Sequence, residues 1–441
     1  MGEPKSQSDA TVWTDRRMKL AREWDGLVER VRRLGRTHGD LRLEQFLRAP
    51  RLPALLPVAR HGPVVVLNIS RWRCDAIVVQ ADGVHVLPLE GLTASEVEYW
   101  TTRHLGQLAA VEEAAGELAA ARSDFHGGNR SPAAFRRSTA ARDAMAHARN
   151  EMDVGLRATT AWLWDRIAGP VLDALGFDGP IAPETACPRL WWCPTGLLSL
   201  LPLHAAGYHG RPADGRHRTV LDRVASSYTP TLRALWEARN AGPHVGPGRL
   251  LYVAPDAPGQ PRLRGSAAER DVLTVRFGDR LTCAEDEKAT RAAVQAGLLR
   301  HRWAHFSCHG GQELADPARG GLLLRDGLLT VRDLGQGSFR GEFAFLAACK
   351  TATGGLVLSD EAITLTAALH YAGFQHVVGT LWSVSDLAAS RIAAALYEEL
   401  ADDGTLHADR SARALHQAVR RLRSGDADDV AAWMPFTHTG P

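Results

Sequence analysis

The 441-residue chain contains no run of about 18 apolar residues, so no helix able to cross a bilayer is expected. Its opening stretch, MGEPKSQSDATVWTDRRMK, is polar and no apolar segment follows, so no secretory signal is expected. Cysteine is sparse: Cys74, Cys187, Cys193, Cys283, Cys308 and Cys349 are scattered, with no CxxC, a pattern that fits neither a disulfide scaffold nor a zinc ribbon. An excess of one charge is missing too. Lys+Arg 52 against Asp+Glu 50 leaves +2, so no chain-wide field is available to hold a nucleic acid or an anionic membrane. These absences point to a cytoplasmic protein with reduced thiols and no membrane partner. Gly2 and Ser6 fit a myristoylation pattern, but one short enough to recur by chance.

What is present is ordinary globular material, 45% hydrophobic and 23% charged, long enough for two or three domains. From Thr14 to about Phe46, Leu20, Trp24, Leu27, Val28 and Val31 fall at helical spacing, and Arg16, Arg17, Arg30, Arg32, Arg33 and Arg36 read as the solvated face of that helix. Direct contact with nucleic acid is therefore not expected. Val64–Leu67, Ala76–Val79 and Val84–Leu87 read as short strands, the last two joined by an Ala-Asp-Gly turn. Residues 94–175 return to helical period with a break at 125–129, which predicts a helical hairpin. Beyond Pro180, short apolar runs at 190–193, 250–253, 303–306, 343–346 and 377–382 alternate with helical segments at 266–277, 288–300, 361–372 and 386–400. Strands alternating with helices predict an α/β fold with a mostly parallel sheet flanked by helices. No repeat near the ~34-residue tetratricopeptide period is visible. The expected organisation is an N-terminal helical segment (1–60), a β-hairpin and helical hairpin with a regulatory character (61–179), and an α/β domain (180–441).

Two strand ends deliver reactive side chains, Phe306-Ser307-Cys308-His309-Gly310-Gly311 and Leu346-Ala347-Ala348-Cys349-Lys350-Thr351. A cysteine nucleophile needs a thiolate near neutral pH, and an imidazole beside it promotes the thiolate and can protonate the leaving amine. His309 and Cys349 fit those roles. Gly310 lets a backbone N–H approach a substrate carbonyl, so the Gly310 and Cys349 amides could form an oxyanion hole. Alone, these residues are weak evidence and read more readily as a buried small hydrophobe and a strand-end histidine.

Three further segments tip that balance: PTGLLSLLPL at 194–203, SYTPTLRAL at 227–235 and GFQHVVGTLWSVSD at 373–386. With HFSCHGG and LAACKTA they resemble the CHAT domain family, caspase-like cysteine peptidases related to separase, over roughly the last 250 residues in consistent order. The resemblance implies a caspase-haemoglobinase fold, His309 as general base, Cys349 as nucleophile for peptide-bond hydrolysis, and no cofactor or metal. It further implies a protein substrate, a protein activator or regulatory partner, and a place in bacterial defence or regulated cell death. The functional histidine of the family stands directly before Gly, so His305 is expected to be a strand residue. A zinc site from Cys308, His309 and Cys349 is the lesser alternative, since no fourth ligand has motif spacing. For substrate binding, Trp382, Ser383 and Asp386 lie in the segment resembling the separase stretch that supplies an acidic pocket residue. Asp386 could pair with Arg or Lys before the scissile bond, or Asp386 or Ser385 could simply cap the following helix. A catalytically silent scaffold that binds a partner protein is the competing function.

Overall fold

The computed structural model describes residues 7–38, 46–48, 52–181, 187–210, 218–242, 248–257, 260, 263–311, 317–337, 339–347, 364–425 and 429–441. They divide into two compact units, 1–57 and 58–441. The first unit holds helix α1, Gln7–His38, on which Arg36 pairs with Glu29 at 2.6 Å.

In the second unit the strands are β1 (Val64–Asn68), β2 (Asp75–Gln80), β3 (Gly83–Pro88), β4 (Arg189–Pro194), β5 (Ala225–Tyr228), β6 (Leu250–Ala254), β7 (Leu281–Glu285) and β8 (Trp303–Phe306). They continue with β9 (Gly310–Gly311), β10 (Gly321–Leu324), β11 (Gly327–Thr330), β12 (Phe343–Leu346), β13 (His376–Thr380), β14 (Ala401–Asp402), β15 (Thr405–Leu406) and β16 (Phe436–Thr439). Among the described residues, eleven strands form one sheet in the order β3-β2-β1-β4-β5-β16-β13-β12-β8-β6-β7, while β9, β10 and β11 make a small separate sheet. The main sheet has two parallel groups. β1, β4 and β5 run together, as do β13, β12, β8, β6 and β7. β16 joins them, antiparallel to β13 and parallel to β5, so the groups run in opposite directions. The hairpin β2–β3 extends the same sheet through β1, which pairs with β4.

Helices cover both faces, as a sheet of fully buried parallel strands requires. They are α2 (Ala94–His126), α3 (Pro132–Leu163), α4 (Leu232–Arg239), α5 (Ser266–Phe277), α6 (Arg291–Leu298), α7 (Leu365–Tyr371), α8 (Asp386–Leu400) and α9 (Ser411–Gly425). The hairpin α2–α3 starts on a Thr93–Glu96 capping box, breaks at Gly127 and Gly128, and restarts at the Ser131 cap with Pro132 in its first turn. Alternation along β8 and β12 sends Trp303, Phe343 and Phe345 into a core with Leu273, Phe277, Ile392 and Tyr397 of α5 and α8. Ala304, Phe306, Ala344 and Leu346 enter the opposite core, with Val294, Leu298 and Leu369 of α6 and α7.

One glycine of the 373–386 segment has a clear structural reason. Gly373 ends α7 with φ +114°, and a Cβ there would collide with the Phe339 carbonyl oxygen. Gly373→Ala is therefore expected to destabilise the protein by about 2 kcal/mol or more, since both the backbone strain and the clash must be relieved. Urea unfolding of the full chain checks this, and an unchanged midpoint would contradict it.

Candidate active site

The site is built by one strand pair. β8 and β12 are parallel neighbours, with His305 opposite Phe345 and Phe306 opposite Leu346. The ladder closes where Ala347 N–H donates to the Phe306 carbonyl at 2.8 Å, and Ser307 N–H is held on the other side by Val253 of β6 at 2.8 Å. Three residues past Phe306 stands His309, half-buried. Its carbonyl accepts from Leu323 N–H at 2.8 Å, and Gly310 pairs with Leu322, so the small sheet anchors the chain directly after the strand end. Cys308, which points into the α6–α7 core, is 2% exposed. Cys349, three residues past Leu346, lies outside the described residues. The zinc alternative depends on that position; among the described residues no group of three or more His, Cys, Asp or Glu is placed to hold a metal.

Beneath the strand end lies a polar cluster that the sequence did not disclose. His305 is fully buried, with Nε2 3.1 Å from Glu269 Oε2 and Nδ1 3.0 Å from the Tyr397 hydroxyl. Glu269 Oε1 also accepts from Ser390 at 3.1 Å, and the Ser307 side chain bonds the same carboxylate. Burial pushes the Glu269 carboxyl up, but these bonds and the neighbouring His305 outweigh it and hold the group below its ordinary value. Burial, with the nearby Glu269 carboxylate adding to it, drives the Tyr397 phenol well above its ordinary range. Glu269, Ser390 and Tyr397 are far from His305 in sequence, and no local spacing could have singled them out.

The segment after β13 is placed as follows. Trp382 is 1% exposed, its Nε1 donating to the Ala431 carbonyl at 3.3 Å and its ring meeting His104 of α2 edge-on at 5.2 Å. Ser383 is exposed, its Oγ 3.3 Å from Glu112 Oε1 of α2. The helix cap is Ser385, whose Oγ accepts from Ala388 N–H at 3.2 Å. Asp386 is thus free of capping. It is half-buried at the first position of α8, and Oδ2 accepts from the Arg264 backbone N–H at 2.8 Å. His309 thus follows β8 and Asp386 opens α8, two elements that meet through Glu269.

A family model described as the CHAT domain matches residues 157–441. No curated protein matches the chain by sequence. Among solved structures, one of the Saccharomyces cerevisiae separase–securin complex superposes with a TM-score of 0.54 at 10% identity, covering 92% of this chain and 31% of that one. A second structure of the same complex gives 0.51 at 10% identity with the same coverage. The chain thus spans about a third of the length of the chains it matches. At this identity the likeness is one of fold, and the fold is that of the caspase-like peptidases.

The contact under Trp382 generates a pH prediction. Both ring nitrogens of His104 are buried with no hydrogen-bond partner among the described residues, and burial pushes its pKa down to about 4. A base whose folded pKa lies below its unfolded value stabilises the fold above about pH 6.5 and gives that stability up as pH falls toward 4. The loss is roughly 1.4 kcal/mol per pH unit in that window. His104→Leu should remove this term, so its melting temperature should fall less than the wild type's between pH 7 and pH 5. Parallel melting curves for the two proteins would contradict the assignment.

Proposed function

The chain belongs to the CHAT domain family, and on that footing we propose that it is a cysteine endopeptidase that hydrolyses peptide bonds of a protein substrate with His309 and Cys349. One observation carries the reading: Phe306 and Leu346, the last residues of two adjacent parallel strands, are registered opposite each other, and in the sequence His309 and Cys349 each come three residues after them. Ligands of such sheets gather beyond the carboxyl ends of the strands. His309 takes the thiol proton, the Cys349 thiolate attacks the scissile carbonyl carbon, and the imidazolium returns the proton to the leaving amine. The acyl-enzyme is then hydrolysed by water, with His309 again the base. Gly310 and Cys349 N–H groups receive the oxyanion. A setting in bacterial defence or regulated cell death belongs to this same reading.

Asp386 supplies the charge that recognises Arg or Lys before the cut. Ser385 already caps α8, and one Asp386 oxygen remains beyond the bond from Arg264 N–H. The residues before about 180 restrain or report to the site, because α2 touches the segment after β13 at both Trp382 and Ser383. The solved relative was captured with securin, which supports a protein partner for this chain as well.

Cys349→Ala and His309→Ala are each expected to lower cleavage about 10³-fold or more with little change in melting temperature, since removing either disables the same unit. New protein N-termini in cells expressing wild type, absent with Cys349→Ala, read this out and identify the substrate. New N-termini that persist with Cys349→Ala would refute the endopeptidase reading, and none with either protein would favour the silent scaffold.

Specificity is tested separately. Asp386→Asn keeps a carbonyl oxygen for Arg264 N–H and changes only the charge, so folding should hold while cleavage after Arg or Lys falls roughly 10- to 100-fold. A peptide library cut by both proteins decides it: a wild-type preference for Leu, Met or Asp before the cut would rule out the acidic pocket.

A further inference from the structure

The cluster around Glu269 has a chemistry that stability alone does not require. Burying a carboxylate and an imidazole costs desolvation, and well-packed apolar residues of the same volume commonly stabilise a core as well or better. What apolar side chains do not supply is direction. A carboxylate that accepts from several donors fixes where each donor sits, to within the narrow geometry of charge-assisted hydrogen bonds.

The donors here belong to the parts of the candidate site that must be aligned. His305 and Ser307 project from the same face of the chain that ends in His309. The His305 ring stacks on Phe345 of β12, centroids 4.9 Å apart and planes 10° apart. His305 stands four residues before His309, and Phe345 four residues before Cys349. Ser390 lies on α8, one turn after Asp386, whose carbonyl oxygen it also meets at 2.9 Å. Tyr397, on the same helix, closes the cluster from the other side of the His305 ring. Both His305 nitrogens are engaged and the ring has no exposure, so His305 itself has no open nitrogen with which to act as a base.

We propose that Glu269 and His305 are positioning residues for the His309–Cys349 pair. The cluster they form with Tyr397, Phe345 and Ser390 sets the height of β8, which His309 follows, against β12, which Cys349 follows in the sequence, and ties both to the helix that begins at Asp386. This rests on the reading of His309 and Cys349 as the catalytic pair. The effect travels through backbone position: loosening the Glu269 bonds lets the end of β8 shift, and the imidazole of His309 then spends less time within reach of the thiol.

The test needs no known substrate. Iodoacetamide alkylation of Cys349 in the full-length protein, resolved from the other five cysteines by peptide mapping, is followed from pH 5 to 9. In the wild type the alkylation midpoint is expected well below the ~8.5 of an ordinary thiol, and His309→Ala should return it there. Glu269→Gln, checked for folding by circular dichroism, should move the midpoint toward the ordinary value and slow alkylation at pH 6.5 by about fivefold or more, because only the thiolate reacts. Tyr397→Phe removes one hydroxyl with little loss of volume and should shift the profile less, in the same direction. A residue that merely supports the core would lower the melting temperature without moving this profile. A folded Glu269→Gln with the wild-type profile overturns the proposal. Should that variant fail to fold, a folded Tyr397→Phe with an unmoved profile overturns it equally. A wild-type midpoint that His309→Ala leaves in place instead overturns the catalytic pair, and this proposal with it.

Discussion

The parallel pairing of β8 with β12 is the constraint on which the rest of the structure depends. Each strand is four residues long and buried on both faces, so neither has room for a reactive side chain within the sheet. Chemistry can begin only where the chains leave it. The register that sets Phe306 against Leu346 therefore also sets where His309 and the chain toward Cys349 emerge. The neighbours reinforce that position. β6 holds Ser307 from one side, the β9–β10–β11 sheet holds the His309 carbonyl, and Trp303 is fixed by its Nε1 bond to Glu342 at 2.9 Å.

A second constraint follows from joining two oppositely directed groups of parallel strands. The joint is β16, whose FTHT sequence is polar yet buried, so each polar atom needs a partner inside the protein. His438 meets Ser227 of β5 at 2.7 Å, His376 of β13 at 3.1 Å and Ser411 of α9 at 3.1 Å, crossing the seam in both directions. Burial pushes the His438 pKa well below its ordinary value, and the nearby His376 adds to the effect, so His438 enters these bonds as a neutral imidazole. Hydrogen bonds of this kind are directional. They fix the register between halves that apolar contact alone would allow to slide.

The legibility of the sequence divides along the same physical line. β6, β8, β12 and β13 are continuous apolar runs because both faces are buried, and such runs can be read without knowing their partners. The helical hairpin was legible for a similar reason, since its break carries Gly127 and Gly128 and its restart carries Ser131 and Pro132. β5, β7 and β16, with sequences ASSY, LTCAE and FTHT, show neither an apolar run nor a clean alternation. β7 lies at the sheet edge with only Ala284 buried, and β5 and β16 are buried against side-chain partners far away in the chain, information that is absent from any local window. The site divides likewise. The position of His309 just past a strand end was readable from the residues around it, whereas Glu269, Ser390 and Tyr397 become neighbours of the strand end only through packing of α5 and α8 on the sheet. Whether Ser385 or Asp386 caps α8 was open in the sequence for a related reason, because both can do so, and only the Arg264 loop separates their roles.

The same geometry explains how the region before residue 180 could govern a site that contains none of its residues. Within residues 58–180 the strands are part of the main sheet: β1 covers the edge of β4, and Trp191 and Trp192 of β4 are fully buried. Its helix α2 reaches the chain after β13 through two contacts of different character. The Trp382–His104 contact is buried, so disturbing it carries the packing penalty of a large aromatic. The Ser383–Glu112 bond is exposed and worth at most about 1 kcal/mol. A partner seated on the α2–α3 hairpin would need a differential affinity of only ~1–3 kcal/mol to change the population of the exposed contact, while the buried one keeps the strand end in place. Regulation of this type acts on the segment leading into Asp386, and leaves the β8–β12 pairing that presents His309 unaltered.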